Sequence, residues 1–364
     1  MKPMLDLKKQ YLSIKDEIIS SVNEVLESAH YVLGRKGAAL EEQIKTYHGT
    51  REAIGVASGT DALHLAIRAL GIGPGDEVIT SPFTFFATAE AVMYVGATPV
   101  FVDVEPDTCN MDPKQIEAKI TKKTKAILPV HIFGHPADME EIVRIAEKHQ
   151  LPIVEDCAQS FGASLHGKKT GSFGAAGCFS FYPSKNLGGY GDGGMLTLNS
   201  ADMAAAIRKL RNHGSKGGYL HECLGYNSRL DEIQAAILLI KMKHIDEYNA
   251  KRREKAALYS MLLSDIATCP VEKPGAYHVY NQYTVQSPKR DHIQQALKES
   301  GISSVIYYPC PLHMQEAIQQ FGYREGDFPV SERVAREVLS LPMYPELEAA
   351  DIKVTAAVIR RCLG

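Results

Sequence analysis

A lysine stands on a turn between an apolar strand and a run of glycines, in Phe179-Ser180-Phe181-Tyr182-Pro183-Ser184-Lys185-Asn186-Leu187-Gly188-Gly189. An amine held there by a rigid scaffold and partly desolvated has a lowered pKa, which Schiff-base chemistry at a carbonyl requires. The plain alternative is a surface lysine in a Gly-rich loop. The glycines do not spell a dinucleotide loop, because Gly189-Tyr190-Gly191-Asp192-Gly193 misses G-x-G-x-x-G and precedes a strand. A second segment, Ile153-Val154-Glu155-Asp156-Cys157-Ala158-Gln159-Ser160, places an acid at the carboxyl end of an apolar strand, where open α/β sheets bind ligands. Its plain alternative is a helix cap by Glu155 or Asp156. A third, Ala57-Ser58-Gly59-Thr60-Asp61, follows a strand and opens a helix, so free N–H groups and the helix dipole make a phosphate seat or, more commonly, an ordinary cap.

The three segments share one chemistry. A phosphate seat, an acid and an amine suit pyridoxal 5'-phosphate, whose ring accepts electrons while a carboxylate keeps its pyridine nitrogen protonated. Asp156 fits that role, Gln159 is within reach of the ring hydroxyl, and Phe85 is the aromatic best placed to stack on the ring, with core packing as its alternative.

These residues need a frame. Apolar β-branched runs at 53–57, 77–80, 99–104, 125–132, 151–155, 177–181 and 194–198 alternate with helical stretches at 61–70, 87–94 and 138–149. That pattern predicts a mostly parallel sheet covered on both faces, one of the last two strands running antiparallel. Helical periodicity also marks 11–29, 40–47 and a long stretch at 230–259. Beyond about residue 260, strands at 280–285 and 303–307 and helices at 290–299, 330–340 and 350–362 predict a smaller α+β domain. The division is 1–245 and 246–364.

Composition narrows the partners. The 364 residues carry a formal charge of −3 with no basic run, which argues against nucleic acid. Seven cysteines, none spaced C-x-x-C, read as reduced thiols of a cytoplasmic protein with no metal site. No stretch of about 18 apolar residues predicts a membrane span.

The motifs S-G-T-D-A-L, G-P-G-D-E-V-I-T, G-A-T-P-V-F-V-D, E-D-C-A-Q-S-F-G-A, S-F-Y-P-S-K-N-L-G and G-Y-N-S-R-L-D-E-I-Q-A-A occur in that order. In this the chain resembles the DegT/DnrJ/EryC1/StrS family of sugar aminotransferases, within the fold-type-I, aspartate aminotransferase-like enzymes. The resemblance implies a large domain with a mixed, mostly parallel seven-stranded sheet between helices, and a small carboxyl-terminal domain. It implies that Gly59, Thr60 and Asp61 form the phosphate turn, that Phe85 stacks on the ring, that Gln159 touches its oxygen, that Ser180 donates to the phosphate and that Lys185 holds the cofactor. It further implies a homodimer with sites at the interface, Asn227 reaching the partner's phosphate, and transfer of an amino group from glutamate to a nucleotide-linked keto-sugar. The stretch 182–188 is similar to members acting at carbon 3. Tyr182, Arg229, Tyr308 and His313 are then the candidates for the sugar, with Arg229 also open to an ion pair and the tyrosines to packing. Tyr307 departs from the family pattern, in which His is common. A uronate carboxylate would call for Arg229, Arg35 or Lys36. A carbon-4 or carbocyclic ketone and, in another class, a nucleotide-dependent oxidoreductase are the rival readings.

Overall fold

The structure, a computed structural model, describes residues 2–363. Seven short runs build its framework: Glu52–Val56, Glu77–Thr80, Thr98–Phe101, Thr124–Ile127, Val154–Asp156, Ala176–Ser180 and Gly194–Leu198. Side by side, they lie in the order first, seventh, sixth, fifth, fourth, second, third. Single parallel bridges from Ile127 to Ile153 and from Val130 to Asp156 join the two halves. Gly194–Leu198 runs antiparallel to both neighbours, and the other pairings are parallel.

Alternation along the strands explains the layering. Ile54, Cys178 and Leu196 point into a core with Leu63, Ala66 and Ile67 of the helix Gly59–Ala69. Their neighbours Ala53, Phe179 and Met195 point the other way, against Leu40 and Ile44 of Arg35–His48 and Leu238 of Glu232–Met242. Register then aligns the functional ends. Val56 and Ser180 both pair with Gly194, so the first and sixth strands finish level with each other.

A separate core gathers Tyr259, Tyr283, Ile293, Leu341 and Ile359. It is enclosed by the helices Ile245–Leu263, Arg290–Glu299 and Ala349–Leu363 and by the antiparallel pair Tyr283–Gln286 and Val338–Leu341. Leu5 packs against it, and the Lys2 backbone bonds to Gly301 and Ser303, so the first residues join this unit.

Several expectations are corrected. The helix expected at 11–29 is two helices, Leu7–Ser13 and Lys15–Ser28, parted at Ile14. The stretch 230–259 likewise breaks between Met242 and Ile245. At 303–307 only Val305 pairs, with Ser340. The helix expected at 330–340 ends at Glu337, where Val338–Leu341 turns to strand, its four residues buried on both faces. The helix Ala201–Leu210, capped by the Ser200 hydroxyl, was not anticipated.

Candidate active site

The phosphate seat begins at Ser58, whose side chain accepts from the Asp61 N–H at 3.0 Å and so caps Gly59–Ala69. The Gly59 and Thr60 N–H groups precede any intrahelical acceptor and face outward from the helix start. Gly59 is required by contact. A Cβ there would lie 2.6 Å from the Ser180 Cβ, so only glycine lets the helix start meet the strand end. The Ser180 hydroxyl accepts from the Tyr182 N–H at 3.3 Å, which leaves its own proton to donate. Asp61 braces the expected phosphate turn: its N–H donates to Ser58, and its carboxylate accepts from the Ser228 hydroxyl at 2.7 Å. Ser228 in turn accepts from the Ala57 N–H, fastening the 227–229 segment beside the seat.

Lys185 follows the strand Ala176–Ser180 in a turn closed by its own N–H on the Tyr182 carbonyl, 2.9 Å. The side chain is partly buried. Enclosure of the amine lowers its pKa to about 8, and the nearby Asp156 charge opposes that shift. Asp156 is 5% exposed. Burial raises its pKa, against the pull of the Ala158 N–H (3.1 Å), the Thr88 hydroxyl (2.8 Å), Lys185 and His131. The amine and the acid therefore share one electrostatic environment at the carboxyl ends of adjacent strands.

Around them, Phe85 is 59% exposed and its ring stands 6.2 Å from that of Tyr308. Gln159 is bonded at both ends, accepting from the Phe133 N–H at 2.6 Å and donating to the Tyr308 hydroxyl at 3.0 Å. One amide hydrogen remains for a ligand oxygen. Tyr308 has its hydroxyl pushed above the ordinary phenol range by burial and then by Asp156, which places it in the site. Tyr182 stands at the mouth, 56% exposed and in electrostatic reach of Tyr307.

The remaining candidates have partners of their own or are exposed. Arg229 donates to the Asn212 amide oxygen at 2.9 Å, so its partner is an amide and not the acid of an ion pair. Asn227 is exposed, its backbone paired with Asn212. Lys36 is occupied by Glu24 at 2.7 Å, and Arg35 is exposed. His313 is corrected: it is 1% exposed, its Nε2 lies 3.0 Å from Glu332, and its ring packs on Phe328, leaving no surface for a sugar.

Sequence reasoning missed Thr88, which holds Asp156 from the helix Ala87–Tyr94. It also missed the division of labour in Glu155-Asp156. Successive strand residues face opposite ways, and Glu155 accepts from the Gly171, Phe173 and Gly174 N–H groups at 2.7–2.8 Å. His131 completes this set. The Ala137 N–H donates to its Nδ1, so the ring proton sits on Nε2 and goes to Glu155 at 3.1 Å. No local signal marks these partners, which come together only through the sheet.

The residues present fit pyridoxal phosphate: unpaired amides and a hydroxyl for the phosphate, an exposed ring, a buried acid and an amine of lowered pKa. Comparisons agree. The profile of the DegT/DnrJ/EryC1/StrS aminotransferase family matches residues 12–360. A Geobacillus stearothermophilus protein described as a pleiotropic regulatory protein is 51% identical, over 95% of this chain and 94% of its own. The UDP-N-acetyl-3-dehydro-alpha-D-glucosamine 3-aminotransferase of Acidithiobacillus ferrooxidans is 50% identical, over 99% and 98%. The dTDP-3-amino-3,4,6-trideoxy-alpha-D-glucose transaminase of Streptomyces venezuelae is 43% identical, over 95% and 92%. The crystal structure of S. venezuelae DesV superposes with a TM-score of 0.97 at 42% identity, covering 99% of this chain and 98% of that one. That of Bacillus subtilis ntda, with bound cofactor PMP, gives 0.90 at 30%, covering 98% and 85%.

Proposed function

Since the chain belongs to the DegT/DnrJ/EryC1/StrS aminotransferase family, whose members are pyridoxal-phosphate enzymes of amino-sugar biosynthesis, we propose that it moves an amino group from glutamate to carbon 3 of a nucleotide-linked keto-sugar. The observation that carries the chemistry is the Lys185 amine and the Asp156 carboxylate acting on one another at adjacent strand ends. Carbon 3 is supported by the 182–188 stretch and by the names of relatives acting on UDP- and dTDP-linked sugars.

When bound, pyridoxal phosphate supplies an electron-accepting ring and an aldehyde. Gly59, Thr60 and Ser180 hold its phosphate. Asp156, fixed by Thr88 and Ala158, keeps a proton on the ring nitrogen. Phe85 covers one face of the ring and excludes water. Lys185 Nζ would hold the cofactor through its aldehyde and, as a free amine, would be the group placed to carry a proton at the reacting centre. Tyr182, and Tyr308 through its ring, line the sugar side, and Arg229 stands ready for an anionic group.

The assembly we propose is a homodimer in the cytoplasm, with Asn227 completing the partner's phosphate site. Exposed Tyr31, Val32 and Leu33 and, on the loop beyond Gly214, Tyr219, Leu220 and Leu224 support it, because so much exposed apolar surface marks an interface. No helix among the described residues is long and apolar enough to cross a membrane.

The experiment offers purified enzyme glutamate with UDP- and dTDP-linked 3-keto and 4-keto sugars and identifies the product. A 3-amino sugar is expected. Amination of the 4-keto substrates alone would overturn the assignment of position.

A further inference from the structure

The loop that carries Lys185 is tied on its near side by Asn186, whose side chain bonds to Asn249, Val279 and Asn281, but its far side, Gly188 and Gly189, has no side chain to hold it. A Cβ on Gly188 would lie 2.4 Å from the Pro183 carbonyl oxygen, so that position must be glycine, and one on Gly189 would lie 2.7 Å from Gln234 Oε1 and push that side chain aside. Glycines free the backbone to change direction, yet the amine three residues earlier must be held in one direction to serve the cofactor. The loop closes on itself through Lys185 N–H to Tyr182 and Gly189 N–H to Phe181, which leaves the Gly188 carbonyl and the Tyr190 N–H turned outward.

Both are met by one helix. Lys241 Nζ donates to the Gly188 carbonyl at 2.6 Å, and Gln234 Oε1 accepts from the Tyr190 N–H at 2.8 Å. Both belong to Glu232–Met242 and stand seven positions, two turns, apart on one face. Lys241 is 2% exposed, and its one hydrogen bond is to that carbonyl. Its ammonium also lies 4.4 Å from the centre of the Tyr190 ring. Burial lowers the amine's pKa to about 8 against the pull of Glu346, which forms no direct ion pair with it; burying such a cation is expensive, and an apolar side chain of similar length would avoid the penalty. The helix is itself anchored. The Ser21 hydroxyl bonds to Ala236, and Glu232 holds the start of Arg35–His48.

We propose that Lys241, with Gln234 as its companion, is a positioning residue that fixes the direction of Lys185 through the Gly188–Tyr190 backbone. Its part would be played through the Gly188 carbonyl and not by contact with substrate or cofactor. It satisfies a buried carbonyl that would otherwise let the glycine peptides turn. This inference rests on the cofactor reading above.

The test uses full-length protein loaded with pyridoxal phosphate and compares wild type, Lys241→Met and Gln234→Met. Three quantities are read: the pH midpoint of the visible cofactor band, the rate at which cofactor leaves on dilution, and the melting temperature. For Lys241→Met the midpoint should shift by about half a unit or more and cofactor should leave several-fold faster. Gln234→Met should move both in the same direction, less far. Lys241→Arg, which keeps a cationic donor, should recover part of the loss. A wild-type midpoint and release rate in Lys241→Met, with only melting lowered, would overturn the proposal. If Lys241→Met does not fold, Gln234→Met decides, and an unchanged midpoint and release rate there overturns it equally. The absence of any visible band in wild type would instead sink the cofactor reading.

Discussion

At the scale of single residues the site is an arrangement of charges in a dry place. Asp156→Asn keeps the shape but removes the ring nitrogen's proton partner. Turnover should fall by several orders of magnitude while the cofactor still binds, as steady-state rates and the visible spectrum would report. Thr88→Val removes one hydroxyl bond to that carboxylate. A bond to a charged group contributes about 1.5–3 kcal/mol, so kcat should fall roughly ten- to a hundredfold if Thr88 holds Asp156 in place. Lys185 carries a pH signature. Its amine is neutral above about 8 in the cofactor-free protein and protonated below. The attacking form is the neutral one, so capture of added pyridoxal phosphate should quicken as pH rises through 8 and then level off. Stopped-flow absorbance at a series of pH values measures this. A flat profile would show that enclosure does not govern the amine. The placement of Asp156 at one strand end and of Lys185 just beyond another was legible in the sequence, because each lies within a few residues of its own apolar run. Thr88, 68 positions from its partner, was not, nor was the burial of His313 against Glu332. Partnerships of that kind depend on which strands become neighbours.

At the scale of elements, one helix start is held by a side chain from far along the chain. Arg35–His48 has glycine at its cap position, and its Gly34, Lys36 and Gly37 N–H groups donate to the Glu232 carboxylate at 2.8–3.0 Å. The carboxylate sits so close that a Cβ at Gly37 would meet it at 2.6 Å. Glu232→Ala should strip three donors at once and cost about 2–3 kcal/mol, seen as a lowered denaturant midpoint. Glu232→Gln should cost less. Most of the sheet could be read because each strand is a compact apolar run between helices. The breaks at Ile14 and at 243–244 could not, since apolar periodicity continues through both. The strand Val338–Leu341 was misread for a similar reason: it follows a helix with no glycine or proline between. We propose to keep the domain division near residue 245, with the first few residues assigned to the smaller unit on whose core Leu5 packs.

At the scale of the whole molecule, the proposal of a site shared between subunits can be tested with two impaired proteins. Lys185→Ala and Asn227→Ala homodimers should both be impaired, the first completely. If Asn227 serves the partner's phosphate, subunit exchange would create dimers with one intact site, and activity would return on mixing. Assaying the mixture after mild unfolding and refolding tests this. No gain would mean that each chain is self-sufficient. The mostly parallel sheet with one of its last two strands antiparallel, by contrast, could be read from the pattern of runs and helices, whereas the order of its strands could not.

The seventh strand, running against its neighbours, has a consequence of its own. It brings Gly194 so near the start of the phosphate-seat helix that a methyl group there would lie 2.2 Å from the Ser58 carbonyl oxygen. One added carbon at a position that binds nothing would act as a wedge, prising the anion cradle from the strand that faces it. At that hidden seam the chain has no room for even the smallest side chain.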